Sequence, residues 1–106
     1  MRLHERFEWD EAKAQANAHK HGVTFDQAAE VLLDDAGDRL HLEEYDAAHA
    51  ADEERYITTS SHPRLRSLVL VICWTERSSK DGPVTRIISA RCATKAERRR
   101  YDSEVL

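Results

Sequence analysis

The sequence predicts an α+β fold with an N-terminal helix pair, an antiparallel meander sheet of three to five strands and a C-terminal helix. Apolar positions recur with a period near 3.6 in residues 11–33 and near 2 in residues 39–90, the spacings typical of helices and strands. The helical patterns are segregated from the strand patterns rather than alternating with them, which favours α+β over α/β. A length of 106 residues predicts a single domain over residues 1–106.

The N-terminal third predicts a short aromatic segment and then the first helix. Residues 7–9 read as an edge strand or an anchoring turn. Asp10 is a suitable N-cap for a helix over residues 11–21. Gly22 follows it, where a left-handed residue commonly ends a helix.

Two further helices are each predicted by a capping box. Thr24 and Gln27 open the second helix, which we expect to end near residues 34–35. Thr94 and Glu97 open the third, which we expect to run to about residue 103.

The middle of the chain is rich in β-branched residues and predicts the strands. Strand-like segments lie at residues 39–43, 55–61, 67–75 and 84–90. In residues 67–75 both the odd and the even positions are largely apolar, which is typical of a central strand covered on both faces. We expect a loop or short helix at 45–54, a turn at 62–66 and a hairpin loop at 78–83.

Composition narrows the classes of protein. The longest apolar run has seven residues, 68–74, whereas a membrane helix needs about twenty. The first residues lead into charge rather than into an apolar signal segment, so we expect a cytoplasmic protein with no membrane partner. Cys73 and Cys92 stand apart, so we expect reduced, packed thiols rather than a disulfide or a zinc site.

The distribution of charge is more informative than the net charge of −4. A pI of about 5.8 by itself argues against a nucleic-acid binder. Residues 34–54, however, carry a net charge of −8, whereas residues 86–100 carry +5. The basic end is either a solvated surface or an anion-binding surface that the overall pI hides.

Arginine predominates in this basic segment, and arginine suits bidentate phosphate contacts. Arg86 and Arg91 are five residues apart, so a regular strand would place them on opposite faces. They converge only if a bulge intervenes or if Arg91 has already left the strand.

The histidines and glycines do not form a recognisable motif. His19 and His21 are spaced i, i+2, which does not bring them together on a helix. His21 remains a candidate because it ends a helix beside Lys20 and Gly22. No nucleotide-binding loop or nucleophile elbow occurs, and no spacing singles out a nucleophilic serine.

Several short blocks occur in order along the chain: Phe7-Glu-Trp-Asp10, Lys13, Asn17, Lys20-His-Gly-Val23, Phe25, Glu54-Arg-Tyr56, Thr75-Glu-Arg77, Arg86-Ile-Ile-Ser-Ala-Arg91, Ala93-Thr94 and Glu97-Arg-Arg99 followed by Tyr101. Together these blocks resemble the BrnT family of toxins. The resemblance implies a RelE/ParE-like fold and a ribonuclease toxin of a type II toxin–antitoxin system. It also implies a BrnA-like antitoxin with a ribbon-helix-helix domain, through which alone the toxin would contact operator DNA.

The resemblance also implies a set of site residues and no cofactor. Arg91 and Arg86 would lie at the scissile phosphate, with Arg55 on a neighbouring strand, in a metal-independent reaction that uses the RNA 2′-hydroxyl as nucleophile. Candidates for proton transfer are Glu54, His21 and Tyr101. Flanking phosphates would be held by Lys20, Lys95, Arg98 and Arg99.

Two other functions remain open at the level of sequence. One is a non-catalytic module with the toxin fold that only binds its antitoxin and contributes to operator binding. The other is a zinc protein that uses the histidines.

Overall fold

The computed structural model describes residues 6–33, 41–46 and 54–105, which form three helices and a five-stranded sheet. The elements in chain order are β1 (Arg6–Glu8), α1 (Glu11–His21), α2 (Phe25–Leu33), β2 (Leu42–Tyr45), β3 (Tyr56–Ser61), β4 (Val69–Ser79), β5 (Gly82–Cys92) and α3 (Lys95–Val105). The predicted α+β class and the order of elements are confirmed. Parts of the predicted segments at 34–35, 39–43 and 45–54 lie outside the described residues.

The helix boundaries follow the predicted caps. The Asp10 side chain accepts a hydrogen bond from the Lys13 N–H at 3.0 Å. Gly22 adopts a left-handed φ of 68° and donates its N–H to the Ala18 carbonyl at 2.8 Å. These contacts satisfy backbone groups that the two ends of α1 would otherwise leave unpaired.

The sheet is mixed, so the predicted antiparallel sheet is wrong in one respect. The strand order is β1-β5-β4-β3-β2, and each pair from β2 to β5 is antiparallel. β1 instead pairs parallel with β5, placing Glu8 opposite Arg86. No hairpin joins these two strands, and the long connection between them permits the parallel direction.

The β4–β5 hairpin is longer and tighter than predicted. Ser79 pairs with Gly82, so only residues 80–81 form the turn and the expected six-residue loop is wrong. The last residues of β4, 76–79, are all polar and mostly exposed, which suits the end of a hairpin that faces solvent. Gly82 meets the strain of the turn with a φ of 113°, which side-chain-bearing residues rarely adopt.

The main core lies between α1, α2 and one side of the sheet, which we call the helical side. Phe25 and Val31 of α2 pack with Leu70 and Ile72 of β4 and Ala90 of β5, all buried. Because side chains alternate along a strand, the intervening residues of β4 and β5 project to the other side. α3 covers part of that second side.

Candidate functional site

A β-bulge in β5 brings Arg86 and Arg91 to the same side of the sheet. Cys73 pairs with Ser89, but Trp74 pairs with Ile87, which leaves Ile88 as an extra residue in β5. A bulge of this kind shifts the alternation by one residue. The bulge that the sequence left open is thus confirmed, and the alternative that Arg91 has left the strand is wrong.

The pairing partners on β4 show which side this is. Arg91 pairs with Val71 and Arg86 pairs with Thr75, and both partners alternate with the core residues Leu70 and Ile72. The two arginines therefore project away from α1 and α2. Their partners are four positions apart on β4, a distance of roughly 13 Å along the strand.

Two more arginines belong to this side of the sheet. Arg77 lies two residues beyond Thr75 on β4, so its side chain projects to the same side of the sheet. The Asp46 N–H donates to the Arg55 carbonyl at 2.8 Å, which extends the β2–β3 pairing by one residue and gives Arg55 the same orientation. We call this side, with Arg55, Arg77, Arg86 and Arg91, the arginine face.

Sequence reasoning did not include Arg77 among the site residues. The signal was available, because residues 75 and 77 are two apart on one strand and so share a face. Its significance depended on knowing that Arg86 lies opposite residue 75, which only the register shows.

Carboxylates orient three of these guanidinium groups. Glu97 accepts two hydrogen bonds from Arg91, at 2.7 and 2.9 Å. Glu8 accepts two from Arg77, at 2.7 and 2.5 Å, and one from Arg86 at 3.0 Å. Paired, charge-assisted hydrogen bonds of this kind fix the plane of a guanidinium.

The carboxylates of the arginine face are held in the charged form. The hydrogen bonds from Arg77 lower the pKa of Glu8 to about 2. The hydrogen bonds from Arg91 likewise lower the pKa of Glu97 to about 2. A general base works best with a pKa near the operating pH, so neither group suits that role at neutral pH.

Glu97 also links Arg91 to the start of α3. Its carboxylate accepts from the Thr94 N–H at 2.8 Å, and the Thr94 hydroxyl accepts from the Glu97 N–H at 3.2 Å. This reciprocal pair is the predicted capping box. One side chain therefore caps the helix and orients the arginine.

Two of the predicted proton-transfer residues lie on the helical side. The Glu54 carboxylate accepts from the Tyr56 hydroxyl at 3.2 Å. The Tyr56 ring lies 4.9 Å from that of Trp74, which packs against the core. His21 ends α1, which packs on the same helical side.

The third candidate, Tyr101, belongs to α3 on the side of the arginine face. Its side chain is buried, and its hydroxyl lies 3.3 Å from both the N–H and the hydroxyl of Ser61. α3 therefore docks on β3 through this residue. The structure thus brings together Arg55, Arg86 and Arg91, but not Glu54 or His21.

The predicted flanking cations divide between the two sides. Lys95, Arg98 and Arg99 are exposed on α3, and Arg98 donates to the Ser67 carbonyl. Lys20 is exposed on α1, on the helical side.

Neither cysteine forms a disulfide. Cys73 is half-buried, but Cys92 is exposed, so the prediction of a packed thiol is wrong there. In residues 6–33, 41–46 and 54–105, no group of three or more His, Cys, Asp or Glu side chains could hold a metal ion. The helices described in these ranges are too short or too polar to cross a membrane.

The arginine face places guanidinium groups held by carboxylates on one side of an α+β scaffold, and this chemistry suits an anionic ligand. Comparison with protein families then gives the specific class. Residues 9–97 match the family described as the ribonuclease toxin, BrnT, of a type II toxin–antitoxin system. The chain belongs to this BrnT family. No curated protein matches the chain significantly.

Proposed function

We propose that this chain is an active, metal-independent endoribonuclease with a RelE/ParE-like fold, whose reaction takes place on the arginine face. The observation that carries the proposal is the β5 bulge, which puts Arg86 and Arg91 on one side of the sheet. Membership of a family of ribonuclease toxins supplies the substrate class. Phosphodiesters carry negative charge, and guanidinium groups match their oxygens bidentately.

In the proposed reaction the RNA 2′-oxygen attacks the neighbouring phosphorus. The new O2′–P bond forms as the P–O5′ bond breaks, which leaves a 2′,3′-cyclic phosphate and a 5′-hydroxyl. The 2′-hydroxyl loses its proton to an acceptor, and the leaving 5′-oxygen gains one. Arg86 and Arg91, with Arg55 just before β3 on the same side of the sheet, stabilise the charge that develops on the phosphorane.

Of the three predicted proton acceptors, Tyr101 lies on the side of the arginine face, whereas Glu54 and His21 would serve only if the RNA also reached the helical side. The pH dependence of kcat/KM reports on the essential base of the free enzyme and so tests each candidate. We expect the acid limb of the profile to disappear only in the variant that lacks the true acceptor: Glu54→Gln, His21→Gln or Tyr101→Phe.

The proposed partners are RNA and an antitoxin. A type II toxin requires an antitoxin, and we propose a BrnA-like protein with a ribbon-helix-helix domain that supplies the contact with operator DNA. On the toxin, Lys20, Lys95, Arg98 and Arg99 would hold phosphates that flank the cleavage point. Such contacts make RNA affinity fall as salt concentration rises.

The direct test incubates purified protein with labelled total RNA in EDTA. Wild type should cut the RNA, and Arg91→Ala should lose at least about 100-fold in rate, the usual cost of removing one transition-state donor. Arg64→Ala is the matched control, since Arg64 pairs with Glu30 and not with the arginine face. Equal cleavage by wild type and Arg91→Ala would contradict the assignment of Arg91.

One observation favours a second candidate function, a non-catalytic module that only binds the antitoxin. Glu8 and Glu97 already pair with three guanidinium groups, and Glu54 and His21 lie on the other side of the sheet. Induction in cells without the antitoxin separates the two functions. Growth arrest by wild type but not by Arg91→Ala supports the ribonuclease, and no arrest by either supports the binding module.

A further inference from the structure

Arg77 is the residue of the arginine face that the proposed reaction leaves without a role. It is 53% exposed in its side chain, and it lies beyond Arg86 when the face is followed away from α3. Its β4 position is two residues past Thr75, the partner of Arg86, which is about 7 Å further along the strand. Arg91, Arg86 and Arg77 therefore form a row along the β4–β5 ribbon.

Glu8 holds the guanidinium groups of Arg77 and Arg86 next to each other. Its two oxygens accept from Nε and Nη2 of Arg77 and from Nη1 of Arg86. These bonds leave Nη1 of Arg77 and Nη2 of Arg86 with hydrogens that Glu8 does not use. The three side chains together carry a net charge of +1, so the pair still attracts an anion after Glu8 is counted.

A purely structural reading assigns Glu8 and Arg77 the task of fixing β1. β1 has only three residues and pairs with β5 alone. Arg86, directly opposite Glu8, already supplies a cross-strand ion pair for that purpose. The Arg77 side chain is 53% exposed, so solvent screens its ion pair with Glu8 and fixing β1 does not require it.

We infer that Arg77, aligned by Glu8, binds the RNA phosphate next to the scissile one, so that the substrate strand runs along the β4–β5 ribbon from α3 toward β1. This inference rests on the proposed ribonuclease function. Arg77 is here a binding residue, and Glu8 is a positioning residue that acts through Arg77 and Arg86.

The test measures binding of a fluorescent 2′-O-methyl RNA decamer, which lacks the nucleophile and is not cut. Each phosphate contact in single-stranded nucleic acid contributes about 0.7 to the slope of log affinity against log salt concentration. Arg77→Ala should lower that slope by about 0.7 and weaken binding several-fold at low salt. Arg77→Lys keeps the charge and should retain the slope, while Arg64→Ala should behave as wild type.

The salt slope separates a phosphate contact from a structural role, because partial unfolding lowers the active fraction at every salt concentration alike. An unchanged slope in a folded Arg77→Ala protein overturns the inference and leaves the proposed function intact. Absence of decamer binding by wild type overturns both.

Cleavage kinetics give a second readout with the native RNA substrate. A flanking contact is made equally in ground and transition states, so Arg77→Ala should raise KM and leave kcat nearly unchanged. Arg91→Ala should instead lower kcat. A fall in kcat without a change in KM for Arg77→Ala would overturn the flanking position.

Discussion

Asn17 is the buried polar residue whose contacts most clearly hold the scaffold of the site in place. Its Nδ2 donates to the carbonyls of Val23 at 3.0 Å and Ala90 at 2.8 Å. Its Oδ1 accepts from the Ala90 N–H at 3.1 Å. β1 pairs with β5 only at residues 84–86, so at Ala90 the Asn17 amide takes the place of a neighbouring strand.

We expect Asn17→Ala to lower the free energy of unfolding by about 2 kcal/mol. The substitution leaves buried backbone groups of Ala90 and Val23 without partners, and each such loss costs about 1–3 kcal/mol. Asn17→Asp should also destabilise, because a carboxylate cannot donate to the two carbonyls. Urea unfolding monitored by tryptophan fluorescence measures the change.

His19→Ala is the control for this series, because His19 lies on the exposed side of α1. It should stay within about 0.5 kcal/mol of wild type. An Asn17→Ala protein as stable as His19→Ala would show that the amide does not hold the edge of β5.

The role of Asn17 could not be derived from local sequence. Asn17 belongs to the blocks that resemble the family, but a single asparagine in a helix is usually interpreted as a solvent-exposed residue. Its partner Ala90 is 73 residues away, and nothing in helical periodicity indicates that contact. The same holds for Arg77, whose role depends on the strand register.

At the scale of elements, the sequence predicted those features that depend on residues close together in the chain. Both capping boxes are formed as expected, by Thr24 with Gln27 and by Thr94 with Glu97. The β5 bulge was predicted only as one of two alternatives. Alternation defines a face but carries no information on where an extra residue is inserted, since that is settled by pairing with another strand.

The Thr94 cap gives a prediction for α3. Thr94→Ala should lower the free energy of unfolding by about 1 kcal/mol, the usual cost of losing an N-cap hydroxyl. Thr94→Ser should stay close to wild type, because serine caps equally well. Thermal unfolding followed by circular dichroism compares the two.

Loss of this cap should also affect the arginine face. Glu97 orients Arg91, so a frayed α3 start lets that guanidinium move. We expect RNA cleavage to fall in Thr94→Ala and to be kept in Thr94→Ser. Full activity in a destabilised Thr94→Ala protein would mean that Arg91 does not need the capped helix.

At the scale of the whole molecule, the α+β class could be predicted because the helical and the strand spacings of apolar residues occupy separate stretches of the chain. The parallel pairing of β1 could not, because a three-residue strand carries no signal of direction. That the proton-transfer candidates lie on opposite sides of the sheet was equally beyond reach. Glu54 lies two residues before Tyr56, the first residue of β3, and only the packing of Trp74 shows that this side of the strand faces the helices.

Charge pairs across the arginine face make the stability of the molecule depend on acid pH. The pKa values of Glu8 and Glu97 fall from 4.5 to about 2 on folding. A carboxyl group with a lowered pKa in the folded state contributes stability above its unfolded pKa and loses it as pH falls through the folded value. The contribution is therefore complete above about pH 5 and disappears between about pH 4.5 and pH 2.

Glu8→Gln and Glu97→Gln test this dependence, because glutamine keeps the shape and removes the titration. Each variant should have a lower Tm than wild type at pH 7 and a smaller fall in Tm between pH 5 and pH 2. The exposed Glu43→Gln serves as the control and should follow the wild-type curve. Because Glu97→Gln can still cap α3, a loss confined to the pH-dependent part would trace the effect to the Arg91 pair. Parallel curves for wild type and both variants would instead mean that the two carboxylates orient the arginines without stabilising the fold.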